Sequence, residues 1–193
     1  ILDGPMHFSG KPTLVFGNRG ISSITLKTFG PKTPQHSGHY GNYIPNPALR
    51  LSQILSSMKD EEGKVTIPYF YEGITLSEEI KKILNNVPSA ESSIKNRTKI
   101  NSTDKVGGNY QESLQYPSLN IRGLQSGWVG DQVRTIIPSS AIAEIDVRLV
   151  LESNPEKLMR SIKNHIESLG YTVLNSNPTD EQRLRFKKII QMN

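Results

Sequence analysis

Cysteine is absent from the 193-residue chain, which excludes disulfides, thiolate metal ligands and a cysteine nucleophile together. Long apolar runs are absent too. None approaches the roughly 18 residues that cross a bilayer, and no charged-then-apolar leader opens the sequence, so no membrane partner is expected. One-sided charge is also missing: 23 Lys+Arg against 18 Asp+Glu leave +5, a modest surplus that suggests solubility more than nucleic-acid binding. Pro and Gly number 12 and 15, near ordinary usage, which rules out a collagen-like or wholly disordered chain. The length then fits one compact domain, or one domain carrying a sizeable insertion. The chain starts at Ile1-Leu2-Asp3-Gly4-Pro5 without an initiator Met, so it is expected to be a piece of a longer polypeptide, with the cytoplasm as the expected compartment.

Several chemistry-bearing motifs are missing as well. The four histidines, His7, His36, His39 and His165, lack companions at the spacing of a catalytic zinc site. There is no nucleotide-binding Gly-rich loop and no Gly-x-Ser-x-Gly elbow. The acidic pair Glu61-Glu62 lies in Lys59-Asp60-Glu61-Glu62-Gly63 and reads as a solvated turn. No metal ligand is assigned to any residue of this chain, and the piece alone is expected to be inactive.

What is present reads as alternating strands and helices. Residues 1–20 are a turn-rich lead-in with a short apolar stretch at Leu14-Val15-Phe16. Ile21–Phe29 alternates with Ile24 and Leu26 on one side and Thr25 and Lys27 on the other, the period of a half-buried strand. Asn46 and Pro47 then supply an N-cap and a first helical residue, and Ala48, Leu51, Ile54, Leu55 and Met58 mark a helix to about Lys59. Residues 60–117 read as an insertion. In it, Thr75-Leu76-Ser77-Glu78 gives a capping-box pattern ahead of a short amphipathic helix, and Ser89–Gln115 is an irregular polar stretch.

Beyond the insertion, Leu119–Leu124 is expected as a strand with Leu119 and Ile121 inward, and Thr135–Pro138 as a brief extended piece. From Ala141 to Val150 the alternation is the cleanest in the chain, with Ala141, Ala143, Ile145, Val147 and Leu149 on one face. A helix over Pro155–Leu169 stops at Gly170, a last strand covers Tyr171–Leu174, and residues 176–193 are a basic exit segment. The order β-α-β-β-α-β predicts an α+β two-layer sandwich of ferredoxin-like connectivity, four antiparallel strands with two helices on one face.

Two polar positions invite chemistry. His36 stands in the loop Gln35-His36-Ser37-Gly38-His39-Tyr40-Gly41, where an imidazole can reach a neighbouring site and donate to a developing oxyanion. It can equally be a plain surface histidine. Arg148 projects from the polar face of the cleanest strand and could clamp a carboxylate bidentately, or merely pair with Asp146 or Glu144. An RNA-binding sheet would need aromatics on its central strands, and Ala141–Val150 and Leu119–Leu124 contain none.

Five separate stretches, in order, resemble one known family. Gly17-Asn18-Arg19-Gly20, His36-Ser37-Gly38-His39-Tyr40-Gly41 with Asn46-Pro47-Ala48, Tyr116–Ile121 with Gly123, Thr135–Pro138 and Asp146–Val150 are similar to the dimerisation, or lid, domain of the zinc peptidases related to carnosinase, glutamate carboxypeptidase and acetylornithine deacetylase. The resemblance implies a lid domain over 21–175 and a flanking catalytic domain, outside this chain, that binds two zinc ions. It also implies homodimerisation through the lid and a peptide or N-acyl amino acid substrate. By the same resemblance His36 serves the partner subunit's oxyanion site, Arg148 holds the substrate carboxylate, and Thr135 is its polar companion. One departure is Gly41-Asn42, where many relatives have two glycines, so the loop path is open. The rival expectation is a ligand-sensing or structural interaction domain without a peptidase role.

Overall fold

The computed structural model describes residues 7, 10–12, 15 and 17–193, so most of the 1–20 lead-in, including Leu14 and Phe16, lies outside the described residues. The elements run β1 (Gly20–Phe29), β2 (Gln35–His36), α1 (Ser37–Tyr40), α2 (Pro47–Ser57), α3 (Glu78–Asn85), α4 (Glu91–Thr98), α5 (Tyr110–Ser113), β3 (Ser118–Gln125), β4 (Ile136–Ile137), β5 (Ser140–Leu149), α6 (Pro155–Ser168), β6 (Thr172–Leu174), α7 (Asp180–Arg185) and β7 (Ile189–Met192).

Local chemistry explains the two main helices. Asn46 caps α2 by accepting from the Ala48 N–H through Oδ1 at 2.8 Å, and Pro47 follows where its missing N–H costs nothing. Asn154 and Pro155 repeat the device for α6, with the Lys157 N–H 2.9 Å from Asn154 Oδ1. After α6, Gly170 takes φ +84°, the left-handed turn that glycine adopts without a steric penalty. Leu51, Ile54 and Leu55 of α2, its C-cap Met58, and Leu158, Ile162 and Ile166 of α6 then pack in one cluster with Ile24, Leu26, Ala143, Ile145 and Val147 of the sheet. Each fully buried aliphatic side chain contributes about 1.5–3 kcal/mol relative to exposure. The helices therefore share one face of the sheet, and the two-layer α+β architecture is as expected.

The sheet differs from the expected four strands. Its order is β3-β5-β1-β7-β6, and the residues read as an exit segment supply β7. This strand runs antiparallel to β1 through Leu26–Met192, Lys27–Gln191 and Thr28–Ile190, and β6 lies parallel to it on the outside. In the simple ferredoxin-like order β6 would lie directly against β1. Here β7 intervenes because Ile189 and Ile190, at 5% and 0% exposure, bury there. The tail also folds locally, since Thr179 and Gln182 form a reciprocal capping box ahead of α7.

Three smaller expectations change. The short helix in the insertion is capped by Ser77, which accepts from the Ile80 N–H, rather than by Thr75. Ser89–Gln115 is not wholly irregular, because α4 and α5 form there, the latter capped by Asn109. Ile121 is 43% exposed although it pairs with the fully buried Ile145. It sits on the outermost strand, and a register shift between Ile121 and Gly123 bends that strand. The insertion also reaches inward, with Val65, Ile67 and Phe70 joining the main core. Among the described residues no helix is long and apolar enough to cross a membrane.

Candidate functional site

The helix-free face of the sheet is polar. Thr25 donates to both carboxylate oxygens of Glu144 at 3.1 Å, and Arg122 reaches the same group at 3.3 Å. Toward the end of β5, Asp146 is 8% exposed. Its Oδ1 accepts from Asn120 Nδ2 at 3.1 Å, and its Oδ2 lies 3.4 Å from Arg148 Nε. Arg148 itself stands between Ile21 on β1 and Ser118 on β3, with its side chain 46% exposed. The expected ion pair with Asp146 therefore exists, but it engages the inner nitrogen. The outward Nη edge, the fork that matches a carboxylate, is left toward solvent.

Arg19, which the sequence reading did not single out as a site residue, shares this corner. Its Nη2 donates to the Tyr116 carbonyl at 2.9 Å and to Ser118 Oγ at 2.8 Å. Burial, and then the like charge of Arg148, hold its guanidinium below the ordinary arginine range. Two cations thus converge where β1, β3 and β5 meet, an arrangement that favours an anion.

His36 and Thr135 lie elsewhere. His36 closes β2, which pairs with β4 through His36–Ile136 and Gln35–Ile137. Just beyond, the Ser37 N–H donates to the Thr135 carbonyl at 3.0 Å, so the exposed residues His36 and Thr135 belong to one two-stranded ribbon. His36 is also the N-cap of α1, its Nδ1 accepting from the Gly38 N–H at 3.0 Å. A ring nitrogen that accepts carries no proton, so the neutral imidazole bears its hydrogen on Nε2. That hydrogen is a donor. The ring of His39 lies 4.8 Å away. Asn42 takes φ +66°, a left-handed conformation that asparagine tolerates better than most residues.

The structure thus joins Thr135 to His36 and separates both from Arg148. Ser140 and Arg148 stand at opposite ends of β5, roughly 27 Å apart at the rise of a strand, and Thr135 precedes β4 at the Ser140 end. For metal chemistry, no group of three or more His, Asp or Glu among the described residues could hold an ion. The described residues therefore offer no zinc site.

The fold is that of a two-layer α+β domain with a polar open face and a histidine-bearing ribbon at one end, and sequence comparison resolves its family. The family of the M20 peptidase dimerisation domain matches residues 16–173, and the chain belongs to that family. It is 28% identical over 169 residues to the Cys-Gly metallodipeptidase DUG1 of Saccharomyces cerevisiae, covering 86% of this chain and 35% of that protein. With the Beta-Ala-His dipeptidase of Mus musculus the identity is 26% over 165 residues, covering 82% and 33%. The chain therefore spans about a third of the length of these curated relatives. Among solved structures, an M20 family metallo-carboxypeptidase from Sulfolobus solfataricus superposes with a TM-score of 0.75 at 24% identity, over 98% of this chain and 46% of that one. That likeness establishes a shared fold. The resemblance read from five motifs is confirmed, and the ligand-sensing or purely structural alternative is not favoured.

Proposed function

We propose that this chain is the dimerisation and lid domain of a metal-dependent, dipeptidase-like amide hydrolase, and that two copies assemble so that each completes the other's active site. The placement of His36 with Thr135 at one end of the sheet and Arg148 at the other carries this reading. A small substrate cannot touch both ends of one protomer. It can touch Arg148 of one copy and His36 of another when two copies pair. The outer edge of β3 supports pairing between copies: it ends the sheet among the described residues and presents Ile121 and Leu124 at 43% and 60% exposure.

In this reading the Nη fork of Arg148 receives the free carboxylate of a dipeptide or N-acyl amino acid, while Asp146 holds its Nε. The Nε2–H of His36 donates to the scissile carbonyl oxygen and bonds it more strongly as negative charge develops. Thr135, the residue before the Ile136 that pairs with His36, offers a second polar contact from the same ribbon. Closure of the lid over the substrate excludes water and strengthens both interactions. The names of the relatives, dipeptidases for Cys-Gly and Beta-Ala-His, support the substrate class. Metal chemistry, with two zinc ions as the resemblance implies, belongs to residues outside this chain. In the full-length protein, His36→Ala should lower kcat by about 10²–10³ with a smaller change in KM, as for loss of an oxyanion donor. Undiminished turnover would refute the role.

A further inference from the structure

We propose that Gly38 is the positioning residue of the His36 donor, and that it selects a hydrogen-bond-donating imidazole over a proton-accepting one. The inference rests on the oxyanion reading above and adds to it the reason the ring cannot act as a base. Two features of Gly38 act on the same ring. Its N–H donates to His36 Nδ1 at 3.0 Å, which fixes the neutral tautomer as Nε2–H. A histidine serving as a base through Nε2 would carry its proton on Nδ1, and that proton would face the Gly38 N–H donor to donor. The neighbouring main chain is already committed: the Ser37 N–H goes to the Thr135 carbonyl at 3.0 Å and the Gly41 N–H to the Ser37 carbonyl at 2.8 Å. The loop therefore has little freedom to turn the Gly38 N–H elsewhere.

The second feature is the missing Cβ. A methyl group at position 38 would stand 2.8 Å from His36 Cε1 and 3.0 Å from Nδ1, closer than packed carbons approach. The φ of Gly38 lies outside the left-handed region, so an alanine backbone fits there. Glycine at this position makes room for the ring lying over it. Gly38→Ala should accordingly rotate the imidazole away and break the tautomer-fixing bond while leaving the fold intact.

The test uses the full-length protein with wild type, Gly38→Ala, His36→Ala and the double variant. Gly38→Ala should lower kcat by about 10-fold or more, with KM within about 2-fold, because Arg148 and the carboxylate seat are untouched. In the His36→Ala background the same change should have less than about a 2-fold effect, since residues that act as a unit are not additive. The ¹⁵N spectrum of histidine-labelled wild type, with His36 identified by its loss in His36→Ala, should show an unprotonated Nδ1 and a protonated Nε2 above the histidine titration. This reading needs no variant to fold. A silent His36→Ala would overturn the donor role and this inference with it. A damaging His36→Ala combined with a silent Gly38→Ala, with additive losses, or with a protonated Nδ1 would overturn the positioning role alone.

Discussion

If each active site draws Arg148 from one copy and His36 with Thr135 from the other, two inactive variants should repair each other. The perturbation is a mixture of full-length His36→Ala and Arg148→Ala proteins, dissociated and reassembled. Within one protomer Arg148 lies near one end of β5 and His36 on the ribbon beyond the other end; β5 alone spans roughly 27 Å from Ser140 to Arg148 at a strand's rise, well beyond the length of a dipeptide. In a mixed dimer one site receives the intact arginine of the first copy and the intact histidine of the second, while the other site collects both lesions. Random reassortment makes about half the dimers mixed, each with one working site of two, so about a quarter of wild-type activity should return. A steady-state assay before and after reassortment reads this directly. If both residues served a site within their own protomer, every site in a mixed dimer would keep one lesion, and activity would stay at the level of the parents. Failure to recover activity in a mixture shown to contain mixed dimers would refute the shared-site geometry.

Further expectations follow from other parts of the structure. Asp146→Asn removes the charge that holds Arg148 Nε, so KM for a free-carboxylate substrate should rise by about 3–30-fold with kcat little changed; an unchanged KM would show that the arginine needs no such partner. Ile145, fully buried at the centre of β5, should cost about 2–5 kcal/mol on truncation to Ala, read as faster hydrogen exchange of the β1 and β5 amides; unchanged protection would contradict the packing. His165 Nε2 lies 2.9 Å from Ser57 Oγ between α6 and α2, and burial holds its imidazole below the ordinary histidine range. The folded state thus binds this proton less readily than the unfolded chain. The associated stability is complete above about pH 6.5 and declines as pH falls through the lower folded value. Denaturation midpoints between pH 7.5 and 5.5 should show that decline, and His165→Gln should flatten it; an unaltered slope would refute the assignment.

The parts legible in the sequence were those where periodicity and capping agree. Ile24 and Leu26 alternate with Thr25 and Lys27, Asn46-Pro47 announces one helix and Gly170 closes the other, and the apolar stripes of both then bury. The fifth strand escaped because Ile189–Met192 is too short to show alternation and follows a short charged helix and two lysines. Its burial comes from a gap beside β1, a tertiary fact that no local pattern carries. Ile121 misled for the opposite reason: its parity is right, but an edge strand lacks a neighbour to cover it. At the candidate site, the types and order of His36, Thr135 and Arg148 were readable, whereas their grouping was not. Thr135 looked like a companion of Arg148 along one stretch of chain, and only the pairing of β2 with β4 assigns it to His36. The contribution of Gly38 is a matter of one N–H and one absent methyl, and it became visible only when the ring above it was placed.

The position of β7 bears on where this domain can be cut. The stretch matched by the family stops at residue 173, ahead of the strand that joins β6 to β1. A recombinant version trimmed to that stretch would cut β6 short, leave its remainder detached and empty the slot filled by Ile190. It would also open the hydrogen-bonding side of Leu26–Thr28 as a sticky seam. Insolubility of such a trimmed version would reflect a missing stave in the sheet, and restoring the chain through Met192 should cure it.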